Sequence, residues 1–519
     1  MFLLYLAPLL LFSQTGATVE GTVVNHVTHA GIPGVSVTLD RGTAGLAYRA
    51  TTDAAGAFRI LNVDPGDYLP VFEKSGLSIA DGAPKTVHID AASGSIRLRT
   101  EMMPWTRLNG HVRDAEDQPV PRVHLTLVPL RAGRGSTTGT VATTGDDGSF
   151  VLATQPGIYR LLADPYATDG LSRGALSAPP PPGSDAAPRA WAPTYYPAAA
   201  DPQAGQPITV SAGGDLSGYD IHLQAVPLYH VRGVVIDTRG RPAVGVGVKL
   251  APPPANWWEP EEAEVDTGEG GVFDFPRVRP GDWRVVAEVE RGEESLMGFG
   301  PALVAAADVS GVSVHLTEPF AMQGKVEGAK AHNTDDLCES TSVSLISTEV
   351  ARDASGEAQE NGLLRIPEVY PGRYKVQVCG VPEGHYLASV MLGERDVLGQ
   401  EFALAPGASP LRVVFKSDGG SVRGTVDQGE GASVALVPAD DALLDSLFVA
   451  TTSAGEGGRF ELGNLRPGEY RAFAFDHIGD ADALTDAAFL KSVSAWAAAV
   501  HVEHGRAASV DLKVVRWPE

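Results

Sequence analysis

The tetrapeptide His315-Leu316-Thr317-Glu318 has the His-x-x-Glu spacing that can hold a zinc ion in a peptidase. A peptidase of that kind also needs a distant histidine and a large α/β fold. The segment instead ends a predicted strand and has strand-rich repeats on both sides. The chain also lacks a Gly-x-Ser-x-Gly elbow and a phosphate-binding loop. We therefore expect no catalytic residues, no enzyme activity and no cofactor.

Three further polar pairs could join a metal site only with help from other residues. Each pair lacks a third ligand nearby, and metal ions in proteins take several ligands. We interpret the histidines as surface residues. The acidic pair could join a calcium site, but a hairpin turn explains it more simply. We predict no metal site at these pairs: His26 and His29, His501 and His504, Asp146 and Asp147.

Two proline-rich insertions carry the aromatic side chains best suited to binding. Proline-rich loops stay on the surface, and aromatic rings stack on sugar rings or extended peptides. The alternative is that the rings cover the ends or edges of β-sandwiches and protect exposed strands. The candidate ligand-binding residues are Trp191, Tyr195 and Tyr196, which follow the four prolines 179–182, and Trp257 and Trp258, which follow the three prolines 252–254.

Cys338 and Cys379 are the two cysteines of the chain, and they lie within one repeat. In an exported protein, two cysteines of one domain are expected to pair, so we predict a disulfide. The alternative is two small buried residues that never meet.

Composition and charge narrow the classes of partner. The chain has 519 residues, including 59 Gly and 38 Pro, which indicates many turns between many short strands. The net charge of −24 disfavours binding to nucleic acids and anionic membranes. An apolar run near the N-terminus is too short to span a bilayer and suits a secretory signal, although no basic residue precedes it. We predict no transmembrane segment.

One signature organises the chain: Pro, Gly, any residue, then an aromatic residue. A turn-forming Pro-Gly precedes an alternating strand each time, so every copy predicts the start of a strand. We expect the repeated aromatic side chains to be core or corner residues. The five copies end at Tyr68, Tyr159, Trp283, Tyr374 and Tyr470.

Two more signatures keep a steady distance from the first. A Gly-x-apolar hairpin motif precedes each Pro-Gly, and a Gly-x-Val motif opens each unit. Counting the strands between them gives about seven per unit, the size of an immunoglobulin-like sandwich. The hairpin motifs end at Phe58, Phe150, Phe273, Leu364 and Phe460, and the opening glycines are Gly21, Gly110, Gly233, Gly324 and Gly424.

The order Gly-x-Val, Pro-Gly-Val, Asp-x-x-Gly-x-Phe and Pro-Gly-x-Tyr resembles the carboxypeptidase regulatory-like domain. The first unit, with the segment from Asp53 to Phe58, matches best, and the fourth matches least. The resemblance covers nearly all of the chain after the signal peptide. It implies transthyretin-like or starch-binding-like β-sandwiches, which often occur in tandem in exported proteins. The motifs are specific for the fold and say little about function.

We therefore predict an all-β chain of five tandem immunoglobulin-like (prealbumin-like) sandwiches in an extended array. Its function would be non-catalytic carbohydrate binding at the cell surface, with a polysaccharide as partner. The alternative is a structural scaffold or adhesin-type rod with another surface protein as partner. In either case we expect a monomer. We expect the protein to be secreted, periplasmic or on the outer cell surface. The predicted boundaries are residues 1–17 for the signal peptide and 18–100, 105–226 (with the proline-rich insertion), 228–318, 319–417 and 419–519 for the sandwiches.

Overall fold

Strands dominate the described part of the chain and confirm the all-β fold class. The α-helix α1 (Ala487–Ser492) has six residues, and within the described residues no helix is long and apolar enough to span a membrane. The computed structural model describes residues 17–41, 47–80, 86–90, 94–130, 141–169, 172–175, 177–178, 188–200, 204–254, 263–291, 294–328, 340–478 and 481–518.

The main sheets of the described residues form five successive pairs, here called sandwiches one to five, and two further two-stranded sheets lie within the second. Each pair encloses its own apolar core. The first sheet of every sandwich has the same plan. Its opening strand is antiparallel to a strand that follows a hairpin turn and parallel to a strand near the end of the sandwich. The domain boundaries drawn from the sequence stay predictions.

Sandwich one has two four-stranded sheets, with strand orders 4-1-8-6 and 3-2-5-7. Its strands are β1 (Ala17–Asn25), β2 (Ser36–Asp40), β3 (Tyr48–Thr51), β4 (Ala57–Val63), β5 (Gly66–Glu73), β6 (Leu77–Ile79), β7 (Val87–Ile89) and β8 (Ser95–Pro104).

Sandwich two adds short strands around its two main sheets. One main sheet has the order 12-9-19, and strand 20 also pairs with strand 9. The other has the order 11-10-13-17, and strand 18 also pairs with strand 13. Its strands are β9 (Thr106–Arg113), β10 (His124–Pro129), β11 (Val141–Thr143), β12 (Ser149–Thr154), β13 (Gly157–Asp164), β14 (Tyr166–Asp169), β15 (Ser172–Ala175), β16 (Arg189–Trp191), β17 (Thr194–Tyr195), β18 (Ile208–Val210), β19 (Asp215–Leu216), β20 (Ile221–His222) and β21 (Ala225–Pro227).

Sandwich three has sheets of order 25-22-28 and 24-23-26-27, and the second contains a long hairpin of two 11-residue strands. A 3₁₀ helix (Glu269–Gly271) lies in its hairpin turn. Its strands are β22 (Tyr229–Ile236), β23 (Gly247–Ala251), β24 (Ala263–Asp266), β25 (Val272–Val278), β26 (Gly281–Arg291), β27 (Glu294–Val304) and β28 (Val309–His315).

Sandwich four has sheets of order 32-29-37-34-35 and 31-30-33-36. Its strands are β29 (Phe320–Glu327), β30 (Ser342–Ser347), β31 (Ala354–Glu357), β32 (Leu363–Val369), β33 (Gly372–Cys379), β34 (Tyr386–Leu392), β35 (Arg395–Asp396), β36 (Phe402–Leu404) and β37 (Leu411–Lys416).

Sandwich five has sheets of order 41-38-44 and 40-39-42-43, and α1 packs with Trp517 on the outer side of the second sheet. Its 3₁₀ helices are Asp441–Leu443, Ser446–Phe448, Glu456–Gly458, Ala481–Thr485 and Ser494–Trp496. Its strands are β38 (Gly420–Asp427), β39 (Ser433–Pro438), β40 (Ala450–Ser453), β41 (Arg459–Leu465), β42 (Gly468–Phe475), β43 (Ala498–Val502) and β44 (Ala507–Lys513).

The aromatic residue of the Pro-Gly signature forms the same corner in all five sandwiches. Its ring is buried in the core, and its polar tip donates a hydrogen bond to the backbone oxygen four residues earlier. A buried hydroxyl or indole N–H needs such a partner, so the signature satisfies the polar tip and fixes the turn. The five donor–acceptor pairs are Tyr68 to Asp64, Tyr159 to Gln155, Trp283 to Arg279, Tyr374 to Tyr370 and Tyr470 to Arg466.

The opening glycine and the apolar residue of the hairpin motif also belong together. A Cβ atom built on Gly233 would lie 2.5 Å from the ring of Phe273 and 2.1 Å from the backbone oxygen of Val312. In sandwich five, a Cβ atom on Gly424 would lie 1.7 Å from the oxygen of Val510. The closing strand therefore approaches so closely that glycine is required at this position.

Candidate functional site

The aromatic residues predicted in the second sandwich are mainly part of its interior. Trp191 is 6% exposed and packs in the core, and Tyr195 is 1% exposed in a small cluster against β10 and β13. Tyr196 is half-buried, with its ring 5.2 Å from that of Tyr219. A ring that stacks on a sugar needs an open face, which Trp191 and Tyr195 do not offer. The burial of Trp191 and Tyr195 fits the alternative interpretation of the insertion, and the ligand-binding role of Tyr196 stays a prediction.

The other predicted ligand-binding residues, Trp257 and Trp258, lie outside the described residues. Cys338 also lies outside them, and Cys379 ends β33. The stacking role of the two tryptophans and the disulfide both stay predictions.

The His-x-x-Glu segment has a structural explanation in sandwich three. His315 ends β28 and contacts the hydroxyl of Ser313 at 3.1 Å, Leu316 is buried, and the Thr317 hydroxyl donates to the backbone oxygen of Met297. Within the residues that the structure describes, no group of three or more His, Cys, Asp or Glu side chains could hold a metal ion.

Three of the four histidines predicted as surface residues lie beside acids. His26 Nδ1 lies 2.9 Å from Glu101, His501 Nδ1 lies 2.6 Å from Glu469, and His504 Nδ1 lies 3.1 Å from Asp418. Asp418 belongs to the link between sandwiches four and five.

All four junctions between sandwiches are short. Trp105 alone separates β8 from β9, and Leu228 alone separates β21 from β22. The other links are residues 316–319 and 417–419. Such short links bring neighbouring sandwiches into direct contact, and the contacts at the last two junctions form a candidate functional site.

The junction between sandwiches three and four is centred on Tyr370. This residue is 2% exposed, and its ring forms a small apolar cluster with Met297 and Val350. Its hydroxyl donates a 2.7 Å hydrogen bond to the backbone oxygen of Ser295, at the far end of the long β26–β27 hairpin. The hairpin of sandwich three therefore extends beside its neighbour and buries an aromatic side chain of sandwich four.

Arg352 adds a charged contact at the edge of this cluster. Its guanidinium lies 5.9 Å from the centre of the Tyr370 ring, within cation–π range. It also lies 3.9 Å from Glu288 of sandwich three and 3.7 Å from Glu368 of sandwich four. Because the Arg352 side chain is partly exposed, these ion pairs add little stability. Most of the stability of the junction therefore comes from the buried ring of Tyr370.

The junction between sandwiches four and five uses Arg466 in the same way. Its Nε and Nη2 atoms each donate at 3.3 Å to the backbone oxygen of Ala388 on β34. Leu447 and Phe448 of sandwich five pack against the apolar core of sandwich four. This junction therefore also combines an apolar contact with a side-chain-to-backbone hydrogen bond.

Asp418 ties the link of this junction to both of its neighbours. Its carboxylate accepts a 3.0 Å hydrogen bond from the Tyr386 hydroxyl of sandwich four and pairs with His504 of sandwich five. The hydrogen bond from Tyr386 lowers the pKa of Asp418, and burial, the larger cause, raises the pKa of Tyr386 to about 12. Both shifts favour the states that are present at neutral pH, an ionised acid and a protonated phenol.

Tyr370 and Arg466 occupy the same position in their repeats. Each directly precedes a Pro-Gly corner, and each offers its own backbone oxygen to the corner aromatic residue. Each then reaches with its side chain to a backbone oxygen of the preceding sandwich. Our sequence analysis missed this position. The signal was a large side chain directly before Pro-Gly, which also occurs as Arg279 in sandwich three.

Comparison with protein families supports the resemblance seen in the repeats. Residues 18–96 match the model of the carboxypeptidase regulatory-like domain. Sandwich one is thus similar to the carboxypeptidase regulatory-like domain. The same opening strand, hairpin and aromatic corner recur in the later sandwiches, so the strand plan of sandwich one is repeated along the described chain. A search of curated proteins found no match.

Several solved structures match parts of this chain at low identity. A streptococcal ancillary pilin is 11% identical, with 58% of this chain and 99% of that chain covered and a TM-score of 0.21. The full-length major pilin SpaD from Corynebacterium diphtheriae is 10% identical, with 59% and 98% covered and a TM-score of 0.18. The Bacillus anthracis TIE protein is 11% identical, with 58% and 51% covered and a TM-score of 0.17. This chain thus spans about half of the TIE chain, and we draw no functional conclusion from these matches.

Proposed function

We propose that this chain is a non-catalytic, extracytoplasmic spacer, active as a monomer, whose β-sandwiches are held in a semi-rigid series. The observation that carries the proposal is the buried Tyr370 side chain, which joins sandwich four to the hairpin of sandwich three. A tyrosine that is buried across a junction, with its hydroxyl hydrogen-bonded to the neighbouring sandwich, restricts the motion that a flexible array would need. Arg466 makes the same kind of contact across the next junction, which supports a chain that is stiff at both junctions.

Export is part of the same proposal. The apolar run before residue 18 suits a secretory signal, and the acidic net charge of −24 favours solubility in a crowded compartment. A spacer of this kind would hold a partner, another surface protein, at a fixed distance. The periplasm and the outer cell surface are both compatible with this role.

Small-angle X-ray scattering of the full chain tests the spacer. The double variant Tyr370→Ala and Arg466→Ala removes both junction side chains and leaves the backbone acceptors of the corners in place. We expect the wild type to scatter as a single elongated shape, and the double variant to need an ensemble of shapes with a broader distance distribution. A wild type that already needs a broad ensemble would refute the proposal.

Carbohydrate binding is the second candidate, and the sequence feature that favours it is the Trp257-Trp258 pair after three prolines. Adjacent rings in a proline-rich segment between β23 and β24 suit stacking on a sugar chain. Binding to a panel of soluble and insoluble polysaccharides, with and without the Trp257→Ala and Trp258→Ala changes, tests it. Loss of retention with an intact fold would support a sugar site, and no retention by the wild type would leave the spacer alone.

A further inference from the structure

The outer face of the first sheet of sandwich one carries a groove of about 600 Å³ with three arginine side chains. Arg59 lies on β4, and Arg97 and Arg99 lie on β8. Their side chains are 64%, 85% and 65% exposed, so the guanidinium groups are open to solvent. Arg59 belongs to the residues that match the family model, and Arg97 and Arg99 lie just after them.

The register of the sheet explains why these side chains lie together. Glu20 on the central strand β1 is the direct partner of Arg59 on one side and of Arg97 on the other. Because cross-strand partners point to the same face of a sheet, Glu20 lies between the two arginines. Its carboxylate is 3.1 Å from Arg97 Nε and 4.0 Å from Arg59 Nε. The carboxylate thus orients both guanidinium groups.

Arg99 is held by a second acid, Glu101, at 3.3 Å. A guanidinium has five N–H donors, and one or two contacts with an acid leave others directed to solvent. The ion pairs therefore pre-organise the three side chains without using up their hydrogen-bonding capacity. Pre-organised arginines are suited to bidentate recognition of a second carboxylate.

The charge of this part of the chain differs from the rest. Residues 18–100 contain 8 acidic and 7 basic residues, whereas residues 419–519 contain 15 acidic and 8 basic residues. The net charge is therefore −1 for the first segment and −7 for the second. Although the whole chain repels anions, the repulsion is weakest at sandwich one, and salt screens the distant acids beyond about 10 Å.

We propose that this groove binds a polysaccharide that carries carboxylate groups, such as a chain of uronic acid residues. The guanidinium groups of Arg97 and Arg99 would pair with carboxylates, since both lie on one strand and face the same side. Of the other lining groups, the threonines suit the hydroxyls of a sugar, and the carboxylate of Asp53 accepts hydrogen bonds from the backbone of its own turn. The exposed Thr22 and Thr51 carry hydroxyl groups, whereas the Phe58 side chain is 5% exposed and packs in the core.

This lining favours a sugar over an acidic peptide. A sugar ring presents hydroxyls close to its carboxylate, and the groove offers threonine hydroxyls beside the guanidinium groups. The site goes beyond the spacer function and does not depend on Trp257 or Trp258. A spacer with such a groove would hold its partner at a distance from an acidic glycan.

Calorimetric titration of the full chain with an oligogalacturonate tests the proposal. The methyl-esterified oligomer is the matched ligand control, because it keeps the sugar chain and loses the charge. Arg97→Gln and Arg99→Gln are expected to weaken binding by roughly tenfold each, since each removes a charge-assisted hydrogen bond. Arg49→Gln is the matched protein control, because Arg49 is exposed on β3 and does not line the groove.

Four outcomes would overturn the proposal. The first is no binding of the oligogalacturonate, and the second is binding of the methyl ester as tight as that of the oligogalacturonate. The third is a loss of affinity in the Arg49→Gln control as large as in the Arg97→Gln and Arg99→Gln variants. The fourth is equally tight binding of poly-L-glutamate, which would assign the groove to acidic proteins. Thermal unfolding of each variant confirms that the sandwich is intact. The Trp257→Ala and Trp258→Ala variant separates the two sugar sites, because loss there places binding in the loop instead of the groove.

Discussion

The hydroxyl of Tyr370 donates a 2.7 Å hydrogen bond to the backbone oxygen of Ser295 in the preceding sandwich. The same residue accepts, through its own backbone oxygen, the hydrogen bond of the Tyr374 corner. One residue therefore links the internal corner of sandwich four to its external contact. A change at this position affects the contact between sandwiches through the side chain and leaves the corner, which depends on the backbone, in place.

Removal of the Tyr370 side chain should uncouple sandwiches three and four. Tyr370→Ala leaves a cavity in a cluster of buried residues and should cost about 3 kcal/mol. Tyr370→Phe removes only the hydrogen bond and should cost about 1 kcal/mol. Differential scanning calorimetry should show one shared transition splitting into two in the alanine variant.

The control for this prediction is Leu303→Ala, since Leu303 is 68% exposed on the same hairpin. It should leave the unfolding curve unchanged. If Tyr370→Ala behaved like Leu303→Ala, the junction would contribute no stability.

The opening glycine should tolerate no side chain. Gly424→Ala would place its Cβ atom 1.7 Å from the backbone oxygen of Val510, so the parallel closing strand must move away. We expect the free energy of unfolding to fall by about 3 kcal/mol or more, or sandwich five to remain unfolded.

Gly463→Ala is the matched control for Gly424→Ala, because a Cβ atom at Gly463 would meet no atom within 4 Å. Both positions lie in strands of the same sheet. Chemical denaturation should therefore separate the two variants clearly, and equal effects would show that strand propensity and not close approach explains the glycine.

The fold could be predicted from the sequence because its determinants are local and repeated. The Pro-Gly corner, the hairpin glycine and the opening glycine recur at fixed spacing, and each has a backbone or core requirement in the structure. The junctions were not predicted, since Tyr370 and Ser295 are far apart in sequence and belong to different sandwiches. The arginine groove was missed for the same reason, because Glu20 meets Arg97 only through the parallel pairing of β1 with β8.

The aromatic side chains of the second sandwich show another limit of the sequence. A proline-rich segment with Trp191 and Tyr195 has the composition of an exposed loop, yet both rings are buried. Composition alone cannot tell an aromatic ring that binds a ligand from one that covers the core of its own sandwich.

The corner tyrosine of sandwich five should make stability sensitive to alkali. Burial raises the pKa of Tyr470 from 10.0 to about 12. Because the folded-state pKa lies above the unfolded value, this contribution is fully present below pH 10 and is lost as the pH rises toward 12. Tyr470→Phe should lower stability by about 1 kcal/mol at neutral pH through the lost hydrogen bond. It should also flatten the decline between pH 10 and about pH 12 in denaturant titrations. An unchanged slope would contradict the burial of the phenol.

Acid should loosen the junction between sandwiches four and five. The pKa of Asp418 is lowered from 3.8, first by the hydrogen bond from Tyr386. A lowered folded-state pKa means that the contribution is present above pH 3.8 and is lost as the pH falls through the folded value. Asp418→Asn should therefore make the link, residues 417–419, more accessible to pepsin at mildly acidic pH.

The control for Asp418→Asn is Glu430→Gln, at an exposed position of the same sandwich. It removes one acid from sandwich five without touching the link. Equal cleavage of both variants would show that charge in general, and not the Asp418 contacts, protects the junction.

The most direct test of the spacer is a distance measurement between sandwiches three and four. Spin labels carried by non-natural keto amino acids at the exposed positions Arg239 and Glu394 would report it by double electron–electron resonance in the full chain. We predict one narrow distance distribution for the wild type and a broad one for Tyr370→Ala. A broad distribution in the wild type, or an equally narrow one after Tyr370→Ala, would contradict the account.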